Sequence, residues 1–311
     1  MATPPVEPAA AAASFTPVFI NTATLRSILT HKSLIHHFRA SLPTVTSSLH
    51  SPPRQNYALS PSSSLLLMPS WSSSSSFPYL GVKLVTYFPQ NSTLELPGVH
   101  GSYVLFDSRT GQTLASMDGT ELTLWRTSCV SGLASEILAR NDVGVLVMIV
   151  EKARKLAQEL ENEGNFEGVC FESTECLEEV VGMGDIVSCA TNSESPLVNG
   201  ARLKAGAHLD LVGSFRHSMR ECDDEAIKRG RVFIDNEMAL EEAGELVGAF
   251  ERGVIGKGEI GGNLVELIKG EKVGRRDSEE VTVFKSVGSA VVDILSAQLV
   301  YETYIKNGGG L

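Results

Sequence analysis

Three basic residues, widely separated along the chain, have the chemistry to hold one small anion. Arg54 precedes a series of short β-rich segments, Lys83 lies within an apolar stretch, and Arg126 lies within a segment of helical periodicity. A lysine that is buried in an apolar strand needs an anionic partner, because an unpaired buried charge costs several kcal/mol. Arginine presents a planar fork to a carboxylate, whereas lysine presents a point charge or a proton. These residue types therefore predict a carboxylate site, and the alternative for each residue is that it extends to water.

The elements that would position these residues fall into two halves. In the first half, apolar spacing predicts one or two helices between Thr22 and Ser48, followed by an antiparallel meander between Pro53 and Ala115. The meander strands are predicted at Ser64–Met68, Tyr79–Tyr87, Ser102–Phe106 and Thr113–Met117. A last helix, from Ala290 to Lys306, is apolar along one face and is predicted to pack against this half.

The second half alternates strands with helices after a long helix at 119–140. Strands are predicted at 145–149, 167–171, 185–190, 207–212, 231–234 and 281–285, and further helices at 151–161, 175–182, 223–229 and 239–252. Such alternation predicts an α/β protein with a Rossmann-like, doubly wound parallel sheet. The expected organisation is a disordered segment 1–20, an α+β domain of 21–118 and 290–311, and a Rossmann-like domain of 119–289 that is truncated near 149–151.

The first strand of the predicted parallel sheet continues into a helix without a glycine. Residues 143–150 read VGVLVMIV and run directly into the helical segment EKARKLAQELE. A dinucleotide-binding sheet normally has a Gly-rich turn at this point, because backbone N–H groups at the helix start must approach the pyrophosphate. The sequence therefore raises the question of whether this chain holds a dinucleotide.

Composition excludes several classes of partner. The formal net charge of −11 argues against nucleic acid, and no run of about 18 apolar residues predicts a membrane span. Five scattered cysteines form no CxxC pair and have no histidine spacing suited to zinc, which predicts no metal site and a reducing compartment. The Ala- and Pro-rich start lacks a secretory signal, so cytoplasm or plastid is expected.

Five stretches together resemble the ornithine cyclodeaminase/mu-crystallin family. They are the region of Arg54, the strand with Lys83, the segment 124–128 (LWRTS), the segment 206–214 (GAHLDLVGS) and the segment 283–290 (VFKSVGSA). They stand in the family's order and cover nearly the whole chain after the first 20 residues. Within the family, the chain is most similar to a plant branch of imine (ketimine) reductases that make pipecolate.

The resemblance implies a role for each candidate residue. The counterparts of Arg54, Lys83 and Arg126 hold a substrate carboxylate, and Lys83 is the expected catalytic residue because its counterpart assists protonation. The positions that match the family's cofactor site are Thr127, Ser188, Cys189, Ala190, Thr191, Val212, Gly213, Lys285 and Gly288. The alternative for 188–191 is a plain strand end. The resemblance also implies that the α+β domain binds substrate and pairs with a second copy in a homodimer, and that the cofactor is NADPH or NADH.

Departures from the family pattern narrow the expected reaction. Phe215 stands where cyclodeaminases carry a catalytic aspartate, and Leu66 stands where they carry a glutamate for the substrate amine. Neither side chain can accept a proton or pair with an ammonium, so ornithine cyclodeamination is the weakest of three hypotheses. We expect NAD(P)H-dependent reduction of a cyclic ketimine carboxylate, with a small cyclic imino acid as the substrate. The other hypothesis is a noncatalytic relative that binds a small acid or dimerises.

A further departure explains the absent glycine turn. Family members continue after Ile149 with Gly-Ala-Gly, a helix and a second strand, whereas this chain resumes at what resembles the following helix. The lost step is about 30 residues, through a skipped exon, a gene-model error or a shortened isoform. Its loss predicts that the remaining first strand is left with an unpaired, apolar edge.

Overall fold

The described chain forms two β-sheets, one of seven strands and one of five. The computed structural model describes residues 16–150, 153–163 and 167–309. Both sheets are of the predicted kind: the first is a largely antiparallel meander and the second is wholly parallel. The predicted α/β fold class is therefore confirmed. In the described part of the chain, no helix is both long enough and apolar enough to cross a membrane.

The first sheet has the strand order β1-β7-β6-β5-β4-β2, with β3 also paired to β4. Its strands are β1 (Val18–Ile20), β2 (Leu49–His50), β3 (Gln55–Ala58), β4 (Ser64–Ser72), β5 (Tyr79–Tyr87), β6 (Val99–Asp107) and β7 (Thr113–Asp118). One face of this sheet is covered by α1 (Thr22–Ile28), α2 (His31–Val45), α3 (Gly119–Leu138) and α10 (Ala290–Lys306). The last helix thus returns to the first half, as predicted.

The second sheet has the order β11-β12-β10-β9-β8. Its strands are β8 (Leu146–Ile149), β9 (Ile186–Cys189), β10 (His208–Leu211), β11 (Arg231–Ile234) and β12 (Thr282–Lys285), and the helices of this half are α4 (Ala153–Glu163), α5 (Leu177–Val181), α6 (Asp224–Arg229), α7 (Ala239–Glu242), α8 (Gly244–Glu251) and α9 (Leu264–Lys269). The parallel register places Cys189, Leu211 and Lys285 side by side at the carboxyl ends of β9, β10 and β12. In open parallel sheets, ligands bind beyond this edge.

Two helix starts place residues of the candidate site. Asp118 caps α3, because its carboxylate accepts from the backbone N–H groups of Thr120 and Glu121 at 3.0 Å each. Ser289 caps α10 through the backbone N–H of Val292. A side-chain oxygen at the first position satisfies N–H groups that would otherwise lack a partner, so each helix begins at a defined residue.

Three predictions about individual segments were wrong. Residues 167–171 form no strand, because no strand in the described chain is available beside them to complete a ladder. The predicted helix 239–252 is broken at Ala243, whose backbone is extended, and Gly244 lies so close to the Met219 carbonyl that a Cβ would be 2.1 Å away. Ordered structure begins earlier than residue 21, because β1 pairs with β7; residues 1–15 lie outside the described chain.

The strand β8 is an edge strand, as the missing step predicts. Among the described strands it pairs only with β9. Leu146 and Met148 are 57% and 46% exposed, whereas Val147 between them is 9% exposed. An edge with unpaired N–H and C=O groups and apolar side chains is a template for association with another chain.

We expect Met148→Lys to suppress large aggregates that form as protein concentration rises, since a charge on an edge strand opposes pairing with another strand. The free energy of unfolding should change by less than about 0.5 kcal/mol, because the side chain is half exposed. Static light scattering and urea unfolding measure the two quantities. The control is Leu96→Lys, at a residue that is 52% exposed outside any strand; equal suppression by both variants would contradict a role for this edge.

Candidate functional site

Lys83 points into the protein from the middle of β5. Its side chain is 3% exposed, and its Nζ lies 2.9 Å from Oδ1 and 2.7 Å from Oδ2 of Asp293 on α10. The Asp293 carboxylate is fully buried. Lys83 therefore does not extend to water, and it has the anionic partner that its position in an apolar strand requires.

Arg126, on α3, approaches the same carboxylate. Its Nε lies 3.1 Å from Oδ1 of Asp293, and its side chain is 10% exposed. The guanidinium also lies against Gly288, where an added Cβ would be 2.5 Å from Nη1. Gly288 has a φ of 74°, which favours glycine. Because residue 288 has no side chain, the turn before α10 leaves room for the Arg126 guanidinium.

Arg54 connects the two halves of the protein. Its Nη2 donates to Oε2 of Glu242 on α7 at 2.6 Å and to the Val287 carbonyl at 3.2 Å. The side chains of Arg54 and Glu242 are 20% and 18% exposed, so this is the most accessible of the pairs formed by the three basic residues. Sequence analysis places these three residues together, and the structure brings Lys83 and Arg126 onto one carboxylate with Arg54 close enough to influence the pKa of Lys83.

A cavity of about 280 Å³ opens beside Arg54. Its lining includes Arg54, Met68, Asp235, Glu242, Gly288 and Ser289. The Asp235 carboxylate shapes this wall, because its Oδ2 accepts from the Ser286 hydroxyl and from the backbone N–H groups of Val287 and Gly288 at 2.8 to 3.1 Å. The cavity therefore lies between the first sheet and the turn that follows β12.

Each of the three cations near this cavity has an internal carboxylate partner: Lys83 and Arg126 share Asp293, and Arg54 pairs with Glu242. Asp235 and Glu237 add two more carboxylates to the cavity wall. The pKa of Lys83 is lowered to about 8, chiefly by burial. Arg126 and Arg54 also lower this pKa, whereas Asp293 raises it. Burial also raises the pKa values of Glu242 and Asp235. An incoming carboxylate must consequently displace or neutralise an internal one, and Glu242 is the accessible candidate.

The residues predicted at the cofactor site gather at the carboxyl edge of the parallel sheet. Ala190 and Thr191 follow β9, and Val212 and Gly213 follow β10. Of these, Ala190 is exposed to solvent. Other predicted residues lie behind the edge: Cys189 and Lys285 are fully buried, and Ser188 donates to Asp210 at 2.6 Å. Thr127 is partly buried on α3, next to Arg126.

Only part of this edge suits a nicotinamide nucleotide. At the ends of β9 and β10 the backbones of Thr191 and Gly213 pack so closely that a Cβ on Gly213 would be 1.9 Å from the Thr191 carbonyl. After β8, by contrast, the sequence has no glycine from residue 145 to 163, and therefore none of the glycines with which a Gly-rich turn lets backbone N–H groups surround a pyrophosphate. The edge formed by β9, β10 and β12 is thus available for the nicotinamide end of a nucleotide, whereas the sequence after β8 does not suit a pyrophosphate.

Sequence reasoning missed the acidic residues of the site. Asp293 carried a usable signal, since it is a single acid within the apolar run Val292-Asp293-Ile294-Leu295 of a helix, and a charge in such a run needs a partner. Glu242 and Asp235 carry no comparable signal, because their neighbours are polar or mixed.

The two residues that depart from the cyclodeaminase pattern make only apolar or cation–π contacts among those described. Phe215 packs partly buried at the margin of the second core, with the Arg216 guanidinium 5.5 Å from its ring centre. Leu66 lies in β4 opposite Val85. Neither position provides an acid.

Comparison with known proteins identifies relatives of this chain. The chain is 57% identical to the Arabidopsis thaliana protein SAR DEFICIENT 4, over 93% of this chain and 98% of that protein. It is 34% identical to the Delta(1)-pyrroline-2-carboxylate reductase of Colwellia psychrerythraea, over 81% of this chain and 89% of that protein. The solved structure of Thermococcus litoralis Delta(1)-pyrroline-2-carboxylate reductase, in complex with NADH and L-proline, superimposes with a TM-score of 0.87 at 29% identity, covering 94% of this chain and 99% of that one.

The comparisons also bear on the missing step. The alignment with the Arabidopsis protein spans 319 positions but takes in 93% of the 311 residues here, so that protein has about 30 residues without a counterpart. The family model for the ornithine cyclodeaminase/mu-crystallin family matches in two segments, 17–160 and 150–308, which divide where the glycine turn is absent. Together the two segments take in nearly the whole chain. This chain belongs to the ornithine cyclodeaminase/mu-crystallin family.

Proposed function

We propose that this protein reduces a cyclic ketimine carboxylate, of the piperideine-2-carboxylate type, to the corresponding cyclic amino acid. The observation that carries the proposal is a buried, protonatable lysine that shares its carboxylate partner with one arginine and lies near a second arginine in the wall of a cavity. The pyrroline-2-carboxylate reductases named above act on an acid of the same chemistry, and pipecolate formation is the finer assignment that we infer.

The substrate carboxylate binds at Arg54 in this proposal. Glu242 must release Arg54, either by moving aside or by taking up a proton, and its raised pKa makes protonation easier. Arg126 reaches the same region past Gly288. The two guanidinium groups fix the carboxylate and thereby the ring that carries the imine. The imine is then held in a defined orientation for the reaction.

Lys83 supplies the proton. Its pKa of about 8 keeps the ammonium form predominant at neutral pH but makes the proton easier to release than that of an exposed lysine. Asp293 holds the ammonium in place and favours its charged state. A reduced nicotinamide, NADH or NADPH, supplies the hydride when bound. The residues at the ends of β9, β10 and β12 would hold its nicotinamide end.

The absence of the glycine-rich turn favours a second function, that of a noncatalytic protein that binds a small acid. Such a protein would use Arg54 and Arg126 as described and would have no need of a nucleotide. Ornithine cyclodeamination remains the least supported activity, because Phe215 and Leu66 provide no acid.

A homodimer is also part of the proposal. The outer face of the first sheet carries apolar side chains that are only partly buried: Leu65, Leu67, Pro69, Trp71, Leu80, Val82, Leu84, Val104 and Phe106. The register places them beside one another across β4, β5 and β6. A continuous apolar surface of this kind on one face of a sheet indicates a protein interface, and a second copy presents the same surface.

For the reaction, we expect purified protein to reduce piperideine-2-carboxylate with NADH or NADPH, followed by the loss of nicotinamide absorbance. Lys83→Met should lower kcat/KM by about 10²–10⁴-fold, because the proton donor is removed. In the wild type, kcat/KM should fall as pH rises above about 8, since Lys83 loses its proton there. Lys32→Met, at an exposed lysine, is the control. No reduction with either nucleotide would overturn the proposed function.

For the nucleotide, we expect NADH and reduced nicotinamide mononucleotide to bind with dissociation constants within about threefold of each other, because the sequence after β8 has no glycine-rich turn to hold the pyrophosphate. Isothermal titration calorimetry gives both constants. Binding of NADH at least about tenfold tighter than the mononucleotide would show that the pyrophosphate is held by other residues.

For the dimer, we expect Val82→Glu to convert a species of twice the chain mass to one of the chain mass, because a buried unpaired carboxylate at the interface is unfavourable. Size-exclusion chromatography with light scattering measures the mass. Leu94→Glu, at a residue exposed away from the sheet, is the matched control. A wild type of single-chain mass would contradict the dimer.

A further inference from the structure

A buried glutamate joins the ends of two neighbouring strands of the parallel sheet. Glu221 is fully buried, between β10 and α6. Its Oε1 accepts from the backbone N–H of Thr191 at 2.7 Å and from the Thr191 hydroxyl at 2.9 Å, and its Oε2 accepts from the backbone N–H of Gly213 at 2.7 Å. One carboxylate thus binds the turn after β9 and the turn after β10 at the same time.

Glu221 is itself held from its backbone. The N–H groups of Leu197 and Val198 both donate to the Glu221 carbonyl, at 2.9 Å each. The carboxylate is therefore positioned by the segment that carries it and by three donors at its oxygens. A group that is fixed on both sides transmits its own position to the turns that it contacts.

A buried lysine lies beneath Glu221 and between two carboxylates. Lys285, at the end of β12, lies 4.0 Å from Oε2 of Glu221 and 2.9 Å from Oε1 of Glu245 on α8. The side chains of Glu221, Glu245 and Lys285 are all fully buried. Burial and the neighbouring Glu245 raise the pKa of Glu221, whereas Lys285 and the N–H groups of Thr191 and Gly213 lower it. Lys285 therefore favours the ionised form of Glu221, which accepts all three hydrogen bonds.

The two turns leave no room for adjustment. An added Cβ on Gly213 would lie 1.9 Å from the Thr191 carbonyl and 2.4 Å from Oε1 of Glu221. The distance between the turns at Thr191 and Gly213 is consequently set by Glu221 and by the absence of a side chain at residue 213. Because these turns form the edge beyond which ligands bind in an open parallel sheet, their spacing defines the shape offered to a ligand.

We propose that Glu221 is a positioning residue for the nicotinamide end of the nucleotide: its carboxylate holds the turns at Thr191 and Gly213 in the spacing that the ligand requires, with Lys285 beneath it. This rests on the proposed function, because it takes a nicotinamide nucleotide as the ligand. Glu221 does not touch that ligand, and it acts through the two turns.

The test uses Glu221→Gln, which keeps the size of the side chain but replaces one acceptor oxygen with an NH₂ group. We expect the dissociation constant for reduced nicotinamide mononucleotide to rise at least about tenfold and amide exchange at residues 191 and 213 to accelerate. The dissociation constant for pyrrole-2-carboxylate, a probe of the site at Arg54, should change less than about twofold. Calorimetry and hydrogen-exchange NMR measure these quantities.

Two further variants keep the test decisive. Thr191→Val removes the hydroxyl that donates to Glu221 at 2.9 Å and accepts more weakly from the Ser193 backbone N–H at 3.3 Å, and it keeps the backbone bond to Glu221. It should weaken binding of the mononucleotide by about threefold, which gives a result even if Glu221→Gln does not fold. Glu225→Gln, at an exposed residue of α6, is the control and should change neither constant.

Unchanged exchange and unchanged affinity in Glu221→Gln and Thr191→Val would overturn the inference. Equal weakening of both ligands would also overturn it, because that pattern indicates general loosening of the fold. If the wild type binds pyrrole-2-carboxylate but no nicotinamide nucleotide, both this inference and the reductase function fail. If it binds the mononucleotide in the expected Glu221-dependent way but reduces no imine, only the proposed function fails.

Discussion

The structure depends on one buried carboxylate placed between two cations. Asp293 lies between Lys83 of β5 and Arg126 of α3, and none of the three has more than a small exposed surface. Removing one member of a buried ion pair typically costs about 3–5 kcal/mol, because the remaining charge is left without a partner in a poorly polarisable interior. The sheet, α3 and α10 are therefore joined by the same contact that gives the candidate site its lysine.

Internal ion pairs explain how such a site can be stable without a ligand and still accept one. Every cation near the cavity already has an internal carboxylate, so the ligand-free protein contains no isolated buried cation there among the described residues. The pairs differ in accessibility, since Lys83 and Arg126 share a deeply buried acid whereas Arg54 meets Glu242 near the surface. In the proposed binding mode, only the pair of Arg54 and Glu242 would have to open, and the contacts of Lys83 and Arg126 with Asp293 can stay intact.

The spacing of apolar residues predicted most helices and strands correctly. It failed where tertiary contacts determined the local structure. The apolar faces predicted α3 and α10 almost to the residue, and an apolar strand around Lys83 predicted that this lysine needs an anion. The identity of that anion could not be predicted, because Asp293 lies 210 residues further along the chain. Residues 167–171 have strand-like composition but no neighbouring strand, and Glu221 looks like an ordinary loop acid until the turns around it are seen. The roles of the cofactor-edge residues and the domain boundaries remain predictions.

The return of α10 to the first half has a consequence for biosynthesis. During translation, Lys83 and Arg126 leave the ribosome long before the helix that carries their common counter-ion, and at about 5–20 residues per second the interval for Lys83 is roughly 10–40 seconds. In that period the nascent meander can collapse only with its lysine hydrated or wrongly paired. Completion of this half must therefore wait until α10 has been made, and chaperones that shelter an unfinished sheet would be most needed during that interval.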